Sequence, residues 1–145
     1  MKTTNFEISK KLKEIGFEAE FNFHYKATDN INLYDSGYED YKEENTPSYD
    51  LETLIEALPD SITREYKSRE DGTIREFEEK LLISKNEIWY KCYDIETSDD
   101  ANEYWREYGY GQDISIYKWD DSLVNIAGKM LIKLYEAGII NLTKK

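Results

Sequence analysis

Residues 61–94, SITREYKSREDGTIREFEEKLLISKNEIWYKCYD, contain three runs of strand-forming residues separated by two turn signals. The runs are SITREYKS, TIREFEEKLLIS and EIWYKCYD, and the turns lie at Glu70-Asp71-Gly72 and at Lys85-Asn86. Runs rich in β-branched and aromatic residues, joined by such turns, are typical of antiparallel strands. The stretch therefore predicts a three-stranded antiparallel meander at the centre of the sheet.

A helix and a strand are predicted on the N-terminal side of the meander. Thr4-Asn5-Phe6-Glu7 fits a capping box, after which apolar residues recur at helical spacing as far as Gly16. From Phe17 to Tyr25 apolar residues alternate with polar ones, which predicts a strand with one buried face. His24 falls on the polar side of this strand, so we expect it at the surface.

The stretch between this strand and the meander is predicted to be mostly irregular. From Lys26 to Pro47 no period is sustained and turn-forming residues are frequent, which predicts an unusually long exposed loop. Asp50 can then cap a short helix through DLETLIEAL at 50–58, which Pro59 ends.

The C-terminal part adds a strand and a helix. DISIYKW at 113–119 predicts a strand paired with the meander, and Asp120 or Asp121 can cap a last helix that Gly138 ends. Its apolar stripe is Leu123, Ile126, Ala127, Met130, Leu131 and Leu134. Val124 and Ile132 lie off that stripe, which leaves both a monomer and a homodimer open.

These elements predict one α+β domain over 1–145, with acidic, aromatic-rich insertions at 26–48 and 94–111. Its sheet is expected to be mainly antiparallel, of about four to five strands, with helices packed on one face. The N-terminal residues lack the apolar core of a signal peptide, and no apolar run approaches about 20 residues. We therefore expect a cytoplasmic protein with no membrane partner.

The negative charge is concentrated in two segments. The chain has 31 acidic against 19 basic residues, a net charge of -12, of which 26–60 contribute -8 and 94–113 contribute -6. Tyrosines are interleaved with the acids in both. Carboxylates repel phosphates, so direct binding of nucleic acid or of an anionic membrane is disfavoured. The expected partner is a basic protein.

The residues that most often carry chemistry are scarce. With one His and one Cys in the chain, His24 and Cys92, neither a structural zinc site nor a nucleophile motif is indicated. Cys92 is expected in the core. The start of a calcium loop at 94–100 breaks down, because Asp99 replaces the required Gly and Trp105 the required Glu. The sequence predicts no enzyme, no cofactor and no metal site.

Three stretches resemble small proteins without an assigned function that are carried by bacteriophages, prophages and their bacterial hosts. They are LKEIGFEAEFNFHY at 12–25, YDLETLIEALP at 49–59 and SLVNIAGKMLIKLYEAGII at 122–140. The resemblance implies a bacterial cytoplasm and a mobile-element setting, where small acidic proteins often occupy the nucleic-acid surface of another protein. It supplies no catalytic residues.

The leading hypothesis is a non-enzymatic interaction protein, an inhibitor or nucleic-acid mimic, that presents carboxylates and tyrosines to a basic surface of a host protein. The residues expected to contact this partner are Asp35, Tyr38, Glu39, Asp40, Tyr41, Glu43 and Glu44 in the first segment, and Asp99, Asp100, Glu103, Trp105 and Glu107 in the second. Three alternatives stay open: a binder of a nucleotide signal with a Tyr/Trp-lined pocket, an enzyme with paired carboxylates, and a solvated flank whose tyrosines cap the sheet.

Overall fold

The computed structural model describes residues 2–38, 40–68, 71–85, 87–92, 114–117 and 122–141, without the side chains of Tyr66, Cys92 and 114–117. The helices are α1 (Phe6–Glu14), α2 (Leu51–Ala57) and α3 (Leu123–Glu136). The strands are β1 (Phe23–Lys26), β2 (Asp29–Asp35), β3 (Thr46–Ser48), β4 (Ser61–Lys67), β5 (Ile74–Ser84), β6 (Glu87–Cys92) and β7 (Ile114–Tyr117). The α+β class predicted from the sequence is confirmed.

The chain divides into two compact units where the sequence predicts one domain. The helical unit consists of residues 1–58 and 118–145, and the meander unit consists of Pro59–Tyr117. The helical unit contains a sheet of order β2-β1-β3, and the meander unit contains a sheet of order β4-β5-β6-β7. The expected single sheet is thus replaced by two, because β2 and β3 occupy both edges of β1.

The meander is confirmed, and its strands pair in antiparallel register. β7 adds to β6 as expected. Gly72, in the first predicted turn, has a φ of +74°, a conformation that glycine adopts without strain. The buried face of the sheet includes the fully buried Glu79, whose carboxylate pairs with the guanidinium of Arg64 on the neighbouring strand. This pair neutralises a charge that would be costly to bury alone.

α1 begins one residue later than the capping box predicts. Asn5, not Thr4, is the N-cap residue, and its side chain accepts the N–H of Ile8 at 2.9 Å. Thr4 is fully buried; its hydroxyl lies 2.6 Å from the Ser9 hydroxyl and accepts the N–H of Tyr49 at 3.1 Å. A buried polar group left unpaired costs about 1–3 kcal/mol, so both hydrogen bonds of the Thr4 hydroxyl stabilise the fold. Thr4 thus fixes the start of the chain beside the end of β3.

Only the end of the predicted 17–25 strand forms β1. Its Tyr25 side chain faces α1, where the ring meets Phe6 edge-to-face at 5.5 Å and the hydroxyl donates to the Thr4 carbonyl at 3.1 Å. Tyr25 is buried, as an apolar position of the alternation should be.

His24 is fully buried, so the prediction of a surface histidine is wrong. Its ring stacks on Tyr34 at 6.2 Å and meets Tyr41 edge-to-face at 5.6 Å, while its Nδ1 lies 2.7 Å from the Ser36 hydroxyl. Tyr34, Ser36 and Tyr41 therefore cover the second face of β1. Because the central strand is covered on both faces, polarity along it does not indicate exposure.

The predicted loop at 26–47 contains β2 and part of β3, which is a second correction. β2 is rich in turn-forming residues, and its Asp29 carboxylate accepts hydrogen bonds from the Tyr34 hydroxyl at 2.8 Å and from the amide of Asn32 at 3.1 Å. It also accepts the N–H groups of Ile31 and Asn32. These bonds hold the pKa of Asp29 near 2, below its ordinary value, with the Tyr34 bond as the largest cause.

α3 packs against α1 and α2 in the helical unit. Its N-cap residue is Ser122 rather than Asp120 or Asp121, and Gly138 ends the helix region with a φ of +75°. All of the predicted apolar stripe except the half-buried Leu123 is buried, and of the two apolar residues off the stripe Val124 is buried and Ile132 is half-buried. The buried face of the helix is thus wider than the predicted stripe by Val124.

Candidate binding groove

A groove of about 620 Å³ lies between two stretches of the helical unit. One wall is continuous and runs through 16–21, the stretch that was expected to be a strand. The other wall consists of alternate residues of the chain that leads into and out of β3. The lining is Lys13, Gly16, Phe17, Glu18, Ala19, Glu20, Phe21, Tyr41, Glu43, Pro47 and Tyr49.

Four aromatic rings form one edge-to-face series along this groove. Tyr41 contacts Phe21 at 4.8 Å, Phe21 contacts Tyr49 at 6.2 Å, and Tyr49 contacts Phe17 at 4.8 Å. Phe17 and Tyr49 are buried, whereas Phe21 and Tyr41 are half-buried. A ligand would therefore meet the rings of Phe21 and Tyr41, which the two buried rings support from below.

Carboxylates surround the accessible rings. Glu18, Glu20 and Glu43 are all exposed. The one ammonium group of the lining belongs to Lys13, and it donates to the main-chain carbonyls of Glu43 and of Asn45, the latter at 2.6 Å. Three carboxylates are thus exposed to solvent in the groove. The single ammonium beside them is hydrogen-bonded to main-chain carbonyls. The groove carries net negative charge next to apolar surface.

The surroundings of the two tyrosines in the groove raise the pKa of both phenols. Burial raises the pKa of Tyr49 to about 12, with further contributions from the neighbouring Tyr41 and Glu18. Burial also raises the pKa of Tyr41, and Glu43 and Glu44 raise it further. Both phenols are neutral at physiological pH. The hydroxyl of Tyr41 donates to the Asn45 carbonyl at 3.1 Å, which fixes the ring at the groove.

The predicted contact residues of the first segment do not form one surface. Tyr41 and Glu43 line the groove, whereas Tyr38, Asp40 and Glu44 line a separate pocket of about 410 Å³ that also contains Lys26 and Lys42. Residues 42–45 form a turn, closed by the Asn45 N–H on the Lys42 carbonyl at 2.9 Å, and the side chains on either side of it divide between the groove and the second pocket.

The remaining predicted contact residues are placed as follows. Asp35 is exposed at the end of β2, where its carboxylate accepts the N–H of Gly37 at 2.8 Å. Tyr38 is 91% exposed. Glu39, Asp99, Asp100, Glu103, Trp105 and Glu107 lie outside the described residues, as does the calcium-like stretch.

Sequence reasoning missed Glu18, Glu20, Phe17, Phe21 and Tyr49 as groove residues. The alternation at 17–25 assigned the two glutamates to the outer face of an ordinary strand. The signal that could have singled them out is Glu-Ala-Glu-Phe itself, since two carboxylates two residues apart lie on one side of an extended chain.

The described part of the chain was expected to contain neither a metal site nor a catalytic nucleophile, and its His, Cys, Asp, Glu and Ser side chains are arranged as follows. No group of three or more His, Cys, Asp or Glu side chains there could hold a metal ion. His24 and Ser36 are hydrogen-bonded, yet neither lines the groove or the second pocket. None of the described helices has the length and apolar character that a membrane crossing requires; α3, the longest, has 14 residues.

The chain matches no family model, and searches of curated proteins and of solved structures likewise found no match. The resemblance to phage-associated proteins therefore stays a prediction.

Proposed function

We propose that this protein is a non-enzymatic interaction protein whose groove holds a Lys- or Arg-bearing segment of a basic partner protein. One observation carries the proposal: the accessible rings of Phe21 and Tyr41 lie beside three exposed carboxylates. Lys and Arg have an apolar stem and a charged end, so rings and carboxylates together suit them better than either does alone.

The basic partner is proposed to be a host protein that uses the same surface for nucleic acid, in a bacterial cytoplasm. A chain with a net charge of -12 approaches a positive surface faster than a neutral one and competes there with phosphates. This partner agrees with the phage-associated setting that the sequence resemblance implies. The proposal does not require catalysis, a cofactor or a metal ion.

A nucleotide in the groove is the less favoured alternative. Its rings could stack on Phe21 or Tyr41, but its phosphates would meet Glu18, Glu20 and Glu43. Among the described residues the lining has a single ammonium, that of Lys13, and two of its three N–H groups already donate to main-chain carbonyls.

The test is calorimetric titration of the full chain with a synthetic Arg/Lys-rich peptide and with an Asp/Glu-rich peptide of the same length. We expect only the basic peptide to bind. The variant Glu18→Gln/Glu20→Gln/Glu43→Gln should bind it about tenfold more weakly, since three exposed ion pairs at roughly 0.5 kcal/mol each amount to about one factor of ten. The binding should also weaken as salt is added.

The matched control is Glu65→Gln/Glu76→Gln/Glu78→Gln, which removes the same charge from exposed positions of β4 and β5. If both triple variants weaken binding of the basic peptide equally, the effect comes from the net charge of the protein, and a binding site in the groove is contradicted. Absence of binding by any basic peptide would overturn the proposed function.

A further inference from the structure

The groove already binds one ammonium group, which belongs to the protein itself. Lys13, in the last turn of α1, is half-buried, and its ammonium donates to the main-chain carbonyl of Glu43 and, at 2.6 Å, to that of Asn45. An ammonium has three N–H groups and no acceptor, so two carbonyl oxygens that meet at one nitrogen suit it well. We call these two carbonyls the ammonium subsite.

The turn that carries the ammonium subsite is also held by bonds that do not involve Lys13. The Asn45 N–H donates to the Lys42 carbonyl at 2.9 Å, and the Asn45 side chain accepts the N–H of Ala27 at 3.2 Å. The Tyr41 hydroxyl donates to the Asn45 carbonyl at 3.1 Å. Asn45 itself is buried. The two carbonyls should therefore keep their positions when the Lys13 ammonium leaves.

The Lys13 ammonium can leave because it ends a flexible side chain. The helix fixes the main chain of Lys13, while the four-carbon stem of a half-buried lysine can carry the ammonium out to solvent. A basic side chain that enters the groove is attracted by Glu18, Glu20 and Glu43 but is repelled by Lys13. Binding of such a side chain therefore favours the departure of the Lys13 ammonium.

We infer that the ammonium subsite is filled by Lys13 in the free protein and by a lysine of the partner in the complex, and that it selects lysine over arginine. The two carbonyls converge on one nitrogen, which suits the compact ammonium of lysine. The N–H groups of a guanidinium spread over a plane and match the two oxygens of a carboxylate instead. The inference rests on the proposed function and adds the residue type that the partner places at this point of the groove.

The first measurement titrates two peptides that differ only in their basic residue, Lys or Arg, into the unchanged chain and into Lys13→Met. Methionine keeps an unbranched apolar stem but cannot donate to the carbonyls. We expect Lys13→Met to bind the Lys peptide about five- to tenfold more tightly, which is the gain when an internal competitor that fills a site about 80–90% of the time is removed. The Arg peptide should gain at most about twofold, from the loss of one positive charge.

The matched control is Lys11→Met, which removes the same charge from an exposed position in the same turn of α1. Only the net charge changes in this variant, so it should strengthen binding of both peptides equally and at most about twofold. Thermal denaturation followed by circular dichroism checks that both variants fold.

The second measurement follows the Lys13 ammonium in the unchanged chain, so it does not depend on any variant. Hydrogen bonds to two carbonyls slow the exchange of the ammonium protons with water, and NMR of the ¹⁵N-labelled protein measures that exchange. We expect the Lys peptide to speed the exchange at Lys13 and to leave Lys11 unchanged. Slow exchange at Lys13 that persists in the complex would overturn the inference.

The outcomes distinguish the inference from the proposed function. If Lys13→Met binds the Lys peptide no more tightly than Lys11→Met does, the ammonium subsite is wrong while binding in the groove stands. An equal gain for the Lys and Arg peptides would overturn the selection of lysine. If neither peptide binds the unchanged chain, the proposed function fails and takes the inference with it.

Discussion

Gly128 of α3 lies so close to Ile8 of α1 that a Cβ atom on Gly128 would be 2.5 Å from Ile8 Cγ2. Real Cβ atoms are not found at such distances, so the two helices approach as closely as they do because position 128 has no side chain. Ile8 is buried at this contact, and Asn125, on the same helix, accepts the N–H of Asn5 at 2.9 Å.

Gly128→Ala is predicted to lower the free energy of unfolding by about 1–2 kcal/mol. Alanine favours a helix interior by about 1 kcal/mol, but overpacking costs about 1–3 kcal/mol. Urea denaturation followed by circular dichroism measures the difference. The same substitution in an Ile8→Ala background should cost less, because the atom it collides with is gone. A stabilised Gly128→Ala protein would contradict the close approach.

Tyr34→Phe is predicted to raise the pKa of Asp29 from about 2 toward its ordinary value, because the Tyr34 hydroxyl is the main reason it is low. The folded-state pKa is lowered, so the stabilisation from Asp29 is present above about pH 4 and is lost as the pH falls toward 2. NMR titration of the carboxyl carbon gives the value. Tyr38→Phe removes a hydroxyl that Asp29 does not contact, and an equal shift in that control would contradict the assignment.

Alkaline pH is predicted to destabilise the helical unit through Tyr49. In the unfolded chain this phenol ionises near pH 10, whereas in the folded chain its pKa is about 12. The free energy of unfolding should therefore fall as the pH rises from about 10 to about 12, because the unfolded state releases its proton first. Denaturation at several pH values should show a weaker fall for Tyr49→Phe. An unchanged fall would exclude this residue as a cause.

Tyr41 and Tyr38 are predicted to differ in binding although the sequence places both in one contact surface. Tyr41→Ala should weaken binding of an Arg/Lys-rich peptide by about three- to tenfold, since a ring contact with a cation is worth roughly 0.5–1.5 kcal/mol. Tyr41→Phe should bind like the unchanged protein. Tyr38→Ala should have no effect, because that side chain lines the other pocket. Loss of binding with Tyr38→Ala would relocate the site.

The sequence predicts best those strands and helices that have one solvent-exposed face and one buried face. β5 buries Phe77 and Glu79 and exposes their neighbours, so its period of two is visible. β1 buries both His24 and Tyr25 because it is central and covered twice. β2 could not be predicted for the opposite reason, because most of its positions are exposed and no alternation of apolar and polar residues results. Its Asp and Asn residues usually form turns, and here the hydrogen bonds of Asp29 accommodate them in a strand.

The site could be predicted only in part for a related reason. Tyr41 and Glu43 belong to a segment whose composition is unusual, so the sequence alone indicates them. Glu18 and Glu20 acquire their place in the groove from the approach of 16–21 to 41–49, which local periodicity does not encode. The separation of Tyr38 from Tyr41 likewise depends on which side of the chain each residue faces in the folded unit.

The meander unit interrupts the helical unit in sequence, which sets the order in which the ribosome can complete them. Synthesis delivers α1 and α2 first, then all of Pro59–Tyr117, and α3 last. The meander unit is continuous, so it can fold as soon as it emerges. Ile8 and its neighbours on α1 must wait for Gly128 and remain an exposed apolar surface during that interval. The nascent helical unit is therefore the stage at which chaperone binding or aggregation would act on this protein.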